Sequence, residues 1–313
     1  MQTNLSRKSV LIIGGGPAGM SAAQWCCELG IEAVLIESAG VLGGQLPRIY
    51  NPINNVLGLE VSNGREMQES FLASVAQRAF DRRTGSPVTE LDTDEKAATI
   101  AGGEVIRASA LILATGVRRR KLGIAGEETF RGKGILESGA KEHEGVEGKR
   151  VLIVGGGDAA IENALILADH ASRVIVSHRR SEFTARKEFL DAARRHPRIE
   201  FITGDVPEEI TGGDRVEYVG LKNAYTGKSY KLPVDNVLIR IGVEPNSELV
   251  REQVKLDDRG YVSIDSQCRT SVEGVFAAGD VANPISPTIS SAVGHGATAA
   301  KAVFGWLLRQ NDR

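Results

Sequence analysis

The sequence predicts an α/β protein built from two Rossmann-like dinucleotide-binding units, and two glycine fingerprints carry that prediction. The first, Gly14-Gly15-Gly16-Pro17-Ala18-Gly19, directly follows the apolar run Val10-Leu11-Ile12-Ile13. The second, Gly155-Gly156-Gly157-Asp158-Ala159-Ala160, directly follows Val151-Leu152-Ile153-Val154. Each reads as a strand, a glycine turn and a helix start, where backbone N–H groups and the helix dipole receive a pyrophosphate. The residues that read the ribose differ between the two. Eighteen residues past Gly19 stands Glu37, ending the strand Ala33-Val34-Leu35-Ile36; eighteen past Ala160 stands His178, followed by Arg179 and Arg180. A carboxylate there hydrogen-bonds free ribose hydroxyls, while cations suit a 2′-phosphate. The expectation is two different dinucleotides, the second one phosphorylated. A lone glycine turn is weak evidence, since steric reasons alone produce such turns. Two of them, each with its strand, helix and ribose position, are strong.

The elements follow in order. Residues 9–37 read as strand–helix–strand, and 38–63, rich in Gly, Pro and Asn, as a long irregular segment. A segment of that length inside a compact domain is usually functional. A helix is predicted over 65–81, where Met67, Phe71, Val75 and Ala79 recur every fourth residue as a core stripe. Short alternating pieces at 87–91, 97–100 and 104–107 predict a β-meander, and Ala110-Leu111-Ile112-Leu113-Ala114 a buried strand running into Thr115-Gly116. The pattern then restarts: strand–helix–strand over 150–177, a helix over 185–195, a strand over 199–202, a meander over 206–232 and a buried strand over 236–241. This is a duplication of one architecture. The run Gly274-Val275-Phe276-Ala277-Ala278-Gly279-Asp280, a Pro-containing turn and a helix over 289–309 complete the chain.

With 313 residues the chain is long for one core and comfortable for two domains. A formal charge of −2 gives no reason to expect nucleic acid or a membrane surface. No apolar stretch reaches the roughly 18 residues that span a bilayer. Residues 1–8 run straight into the first strand without the pattern of a signal peptide, so the expected location is cytoplasmic. Cys26 and Cys27 are neighbours in the first helix, Cys268 is distant, and no CxxC occurs. No His/Cys cluster has ligand spacing, so no metal is expected.

These motifs, with Gly43-Gly44-Gln45-Leu46, Ala114-Thr115-Gly116 and Gly274–Asp280 in the same order, resemble the thioredoxin-reductase-like branch of the two-dinucleotide-binding flavoproteins over essentially the whole chain. The resemblance implies a discontinuous, three-layer FAD domain at 1–118 and 245–313, an inserted NADPH domain at 119–244, and a homodimer. It implies FAD pyrophosphate binding by Gly14, Gly16, Pro17, Ala18 and Gly19, and ribose binding by Glu37. Gly44 and Gln45 belong to the segment approaching the flavin, with Ala114, Thr115, Gly116 and Gly279 also in the FAD site. Asp280 corresponds to the aspartate on the ribityl or phosphate chain. For NADPH it implies Gly155, Gly157, Asp158, Ala160 and Glu162 at the turn, His178 in the same site, and Arg179 and Arg180 on the 2′-phosphate. Where the family often adds a further arginine this chain has Thr184, and Arg186 is the nearest substitute.

Departures from the family sharpen the expectation. Ser138 and Lys141 fall on the two positions of the family's redox CxxC, with Glu142 on the following acid. Serine and lysine cannot form a disulfide, so reduction through the family's dithiol is not expected. Lys141-Glu142-His143-Glu144 reads first as a solvated charged face, with a catalytic use of Lys141 and Glu142 as the alternative. Tyr50, five residues after Gln45, matches the tyrosine that stacks on the flavin in ferredoxin/flavodoxin–NADP reductases of this build; otherwise it packs in its loop. That subgroup usually carries a C-terminal extension, whereas the sequence stops at Arg313 shortly after its last expected helix, and Ser286-Pro287-Thr288-Ile289 departs from its flavin-edge residues. His295 is a proton-donor candidate or an ordinary helix residue. Arg118-Arg119-Arg120-Lys121 is a docking patch for an acidic carrier or a solvated hinge. The expected function is NADPH–FAD oxidoreduction without a protein dithiol, ending on a ferredoxin- or flavodoxin-type carrier. The alternatives are a reductase or oxidase acting on a small molecule or quinone, and a non-catalytic dinucleotide sensor.

Overall fold

The computed structural model describes residues 2–4 and 8–311. The chain forms two compact units, Met1–Arg118 with Glu244–Arg313, and Arg119–Val243. The expected boundary after residue 244 moves back by one. Glu244 belongs with the first unit, where it and Glu248 flank Arg118 at 2.8 and 2.5 Å.

The first unit is built on a five-stranded parallel sheet, in the order Val275–Ala277, Ala110–Leu113, Ser9–Ile13, Glu32–Ile36, Asp81–Arg83. The central strand is buried throughout, so both its faces need covering, and its side chains divide between them with period two. Val10 and Ile12 pack in one core with Ala18, Ala22 and Cys26 of helix Pro17–Glu28 and Ala299 and Val303 of helix Ile289–Asn311. Leu11 and Ile13 pack in another with Leu91, Ala98 and Ile106 of the meander Val88–Asp92, Ala97–Ile100, Val105–Arg107. Strand Gln2–Asn4 adds to the meander's edge, parallel to Val105–Arg107.

The second unit repeats the plan. Its parallel sheet runs Ile135–Leu136, Asn236–Ile239, Arg150–Val154, Arg173–His178, Ile199–Thr203. Val151 and Ile153 face helices Asp158–Ala168 and Lys187–Arg195, while Leu152 and Val154 face the meander Asp205–Thr211, Tyr218–Asn223, Ser229–Pro233.

Three elements differ from the sequence reading. The helix expected over 65–81 is Gly64–Val75. Asn63 caps its start, with Oδ1 accepting from the backbone N–H groups of Arg65 and Glu66. After Val75 the chain tightens, and 81–83 is drawn off to pair with Glu32–Ile36, an attraction no helical periodicity reveals. The segment 38–63 is not wholly irregular: it holds a 3₁₀ turn at Leu46–Arg48 and a short hairpin, Ile53–Val56 with Leu59–Val61. The helix expected from 185 begins at Lys187, because the backbone N–H groups of Thr184 and Ala185 both bond the carbonyl of Gly156. Among the described residues no helix is long and apolar enough to cross a membrane, and no group of three or more His, Cys, Asp or Glu could hold a metal ion.

Candidate functional site

In open parallel sheets the ligand crevice lies beyond the carboxyl ends of the strands, where the strand order reverses. In the first unit that point is between Ser9–Ile13 and Ala110–Leu113. Gly14 turns there with φ +107°, and a Cβ on it would lie 2.3 Å from the Ala114 carbonyl oxygen. A Cβ on Gly19 would lie 1.9 Å from the carbonyl oxygen of Gly14, so only glycine lets the helix close onto the turn. Pro17 occupies the first helical turn, where its missing N–H costs nothing.

Glu37 is buried at the end of its strand and holds this turn. One carboxylate oxygen accepts from the backbone N–H of Gly15 at 2.7 Å; the other accepts from Ala39 N–H at 2.8 Å and from the Ser38 hydroxyl at 3.0 Å. A carboxylate offers about four lone-pair positions, so acceptor capacity is left for a ribose diol. The Gly43–Gln45 loop is laid on the same turn: Gly43 N–H bonds the Gly15 carbonyl at 2.8 Å, and Gly44 abuts Gly16. Gln45 is anchored by its amide nitrogen to the Val117 carbonyl at 2.6 Å. Tyr50 lies half-buried just after the 3₁₀ turn that this loop leads into. Asn246, absent from the sequence reading, ties down Thr115: its amide donates to the Thr115 carbonyl at 2.8 Å, and the Thr115 hydroxyl donates to the Asn246 carbonyl at 2.6 Å.

Gly279 is packed so closely on Ala18 that a Cβ would lie 2.7 Å from the alanine's, which brings Asp280 to the start of the fingerprint helix. Asp280 Oδ1 is buried there without a hydrogen-bond partner, and burial pushes its carboxyl above the ordinary aspartate range. An orphaned buried acceptor beside a cradle of backbone N–H groups fits a cofactor that brings both phosphates and hydroxyls. His295, in helix Ile289–Asn311, likewise has a buried Nδ1 without a partner, and burial favours its neutral ring. A neutral imidazole can hydrogen-bond a ligand but brings no cation.

The second unit reproduces the turn. A Cβ on Gly155 would lie 2.1 Å from the Arg240 carbonyl oxygen, the counterpart of the Gly14 contact. Gly157 precedes the helix Asp158–Ala168, on which Ala160 is buried and Glu162 half-buried. Arg179 and Arg180 are exposed at the end of strand Arg173–His178. His178, expected among the NADPH-site residues, is partly enclosed. Its ring packs on Phe183, with centroids 5.2 Å apart, and fills the space where a Cβ on Gly156 would sit. Burial first, then the field of Arg180, holds its pKa below the ordinary histidine value, so it shapes the turn as a neutral ring. Arg186 is committed to Asp158, donating Nε at 2.8 Å and its backbone N–H at 2.7 Å, and lies over the Phe189 ring.

Ser138, expected to fall on a position of the family's dithiol, is buried and precedes the short helix Gly139–Glu142. Glu142 Oε2 accepts from the backbone N–H groups of Glu137 and Ser138 at 2.7 and 2.9 Å, which caps that helix. Lys141 lies 3.2 Å from Glu137. The charged segment therefore has structural partners. Burial raises the Cys26 thiol to about 12 and the Cys268 thiol to about 11, and half-buried Cys27 is also raised. None of the three is poised as a thiolate. The basic run is not an uncommitted patch either. Arg118 pairs with Glu244 and Glu248, Arg119 and Arg120 donate to the carbonyls of Glu137 and Val243, and Lys121 pairs with Glu128 at 2.7 Å.

Comparison with known proteins agrees with this geometry. The family model described as pyridine nucleotide-disulphide oxidoreductase matches residues 8–296. A thioredoxin reductase of Mycolicibacterium smegmatis is 35% identical over 99% of this chain and 100% of its own. One of Listeria innocua is 33% identical over 93% of this chain and 91% of its own. The crystal structure of Lactococcus lactis thioredoxin reductase superposes with a TM-score of 0.84 at 30% identity, covering 96% of this chain and 99% of that one. The chain thus belongs to the pyridine nucleotide-disulphide oxidoreductase family and is an FAD- and NADPH-dependent flavoprotein of thioredoxin-reductase-like build.

Proposed function

We propose that this oxidoreductase draws electrons from NADPH through FAD and delivers them to an external acceptor with no dithiol of its own, the acceptor being a one-electron carrier of ferredoxin or flavodoxin type. FAD supplies the hydride-accepting chemistry and the step from electron pairs to single electrons. The protein's part is to position the two dinucleotides: Gly14, Gly16, Gly19, Glu37 and Asp280 hold one, and Gly155, Gly157, Ala160, Arg179 and Arg180 the other. The observation that carries the reading is the chemistry of residues 138–142. Ser138 and Lys141, which the likeness to the family sets on its dithiol positions, cannot form a disulfide, and burial raises the thiols of the chain's three cysteines. Tyr50, in the segment leading from the Gly43–Gln45 loop, is the residue proposed to stack on the flavin. A homodimer is part of the proposal, resting on the likeness to the family.

A hydride carries two electrons, so each NADPH should reduce two carrier molecules and release one proton. The test is cytochrome c reduction by the FAD-loaded protein at low salt, with and without added ferredoxin or flavodoxin. Strict dependence on the carrier is expected, with no insulin reduction through thioredoxin. Rapid thioredoxin reduction that disappears when Cys26 and Cys27 are replaced by alanine would overturn the proposal. The commitment of residues 118–121 to local partners favours a second reading, a small-molecule acceptor. Rapid turnover of a quinone or small disulfide with no carrier reduced selects that one.

A further inference from the structure

The internal duplication makes one residue stand out. In the first unit the strand beside the glycine turn ends at Ala114, whose N–H bonds the Ile13 carbonyl at 2.8 Å and whose own carbonyl meets Gly14. In the second unit the same place is held by Arg240: its N–H bonds the Val154 carbonyl at 2.7 Å, and its carbonyl meets Gly155. Two halves of one plan thus carry alanine in one and arginine in the other, at the point where the strand order reverses. An arginine ending the apolar strand Asn236–Ile239 is not required by that fold position, since alanine serves in its twin.

The Arg240 guanidinium is half-buried and short of negative charge. Nη1 donates to the Ile239 carbonyl at 2.8 Å and Nη2 to the Glu137 carbonyl at 2.7 Å. Arg119 donates to that same Glu137 carbonyl. The acid opposing this pair of cations is Glu142, whose Oε2 already receives two backbone N–H groups. Burial, and then the field of Arg119, pull the Arg240 pKa down to about 10, against Glu142. A half-buried guanidinium held by neutral carbonyls gains from an incoming anion.

The sheet order says which part of the nucleotide that anion is. Strand Arg150–Val154, with its glycine turn, lies between Asn236–Ile239, which leads to Arg240, and Arg173–His178, which leads to Arg179 and Arg180. Arg240 is therefore beside the pyrophosphate turn, on the side away from the 2′-phosphate residues. We propose that Arg240 is a pyrophosphate-binding residue of the nicotinamide-nucleotide site, binding the element that NADPH and NADH share. This rests on the proposed use of the second unit for NADPH. It assigns affinity to Arg240 and the choice between the two nucleotides to Arg179 and Arg180.

The experiment measures dissociation constants of NADPH, NADH and 2′-AMP for the FAD-loaded protein by fluorescence titration. Arg240→Met should weaken NADPH and NADH by the same factor, roughly ten- to a hundredfold for one charge-assisted contact, and leave 2′-AMP unchanged. Arg240→Lys should recover part of the loss. The double change Arg179→Ala with Arg180→Ala should weaken NADPH and 2′-AMP but not NADH. If Arg240→Met lowers the melting temperature or FAD content, Arg240→Gln, which can still donate to a carbonyl, is titrated instead with the same expectation. Unchanged binding of both nucleotides, or loss confined to NADPH and 2′-AMP, overturns the assignment. Wild-type protein that binds neither nucleotide would instead sink the function proposed above.

Discussion

Replacing Glu37 by alanine isolates what one buried carboxylate does for the first glycine turn. The substitution removes the acceptor of three hydrogen bonds, from Gly15 N–H, Ala39 N–H and the Ser38 hydroxyl. Ser38 and Ala39 are exposed, so water can replace the carboxylate for them, whereas Gly15 is buried and its N–H is left without a partner. An orphaned buried donor costs about 1–3 kcal/mol. At about 2–4 °C per kcal/mol for a unit of this size, the apoprotein should melt about 2–12 °C lower. Glu37→Gln keeps an oxygen for Gly15 and should restore most of that loss. FAD binding should respond differently. The ribose diol donates to a charged carboxylate in the wild type and to a neutral amide in Glu37→Gln, so the glutamine variant should keep its stability yet bind FAD more weakly. Calorimetry of apoprotein and flavin titration of the same samples read the two effects separately. An apoprotein melting temperature unchanged in Glu37→Ala would refute the reasoning about Gly15, whatever happens to flavin affinity.

Two further outcomes follow from the buried titratable groups. Burial raises the Asp280 pKa above its unfolded value, so the folded carboxylate is a cost that grows as pH rises from the acid range through its folded pKa. Asp280→Asn should therefore raise the apoprotein's melting temperature near neutral pH while weakening FAD by roughly ten- to a hundredfold, the worth of a hydrogen bond to a charged acceptor; equal or tighter FAD binding would remove Asp280 from the site. His178 has the opposite linkage: its pKa is lowered by burial and by Arg180, so the unfolded chain takes up the proton first and stability falls as pH drops below about 6.5. In His178→Gln the slope of melting temperature between pH 7 and pH 5 should flatten, and an unaltered slope would show that the ring is already free to protonate in the fold.

What could be read directly from the sequence was what is local in the chain. A run of four apolar residues, a glycine turn and a helix start lie within about a dozen residues, and the ribose position sits a fixed span further on. The expectations for Gly14, Gly19, Glu37 and their counterparts Gly155, Ala160 and the 178–180 group rest on that spacing. The burial of each central strand on both faces, which makes each unit three-layered, was equally visible, because such a strand reads as an unbroken apolar run. The early end of helix Gly64–Val75 was not visible, since its terminus is set by the pairing of 81–83 with a strand some 45 residues earlier in the chain. The neutral state of His178 came from the turn and Phe183 closing around it. The capping by Glu142 depended on which way a short helix faced its own backbone. Asn246 and Arg240 are reached only through contacts more than 80 residues apart, with Thr115 in one case and Val154 in the other. An arginine directly ending an apolar strand was the one trace of Arg240 in the sequence. Pattern fixes what a residue's neighbours in the chain impose; the charge state and hydrogen-bond duty of a side chain are set by what folding brings against it, and for these residues only the tertiary structure decided that.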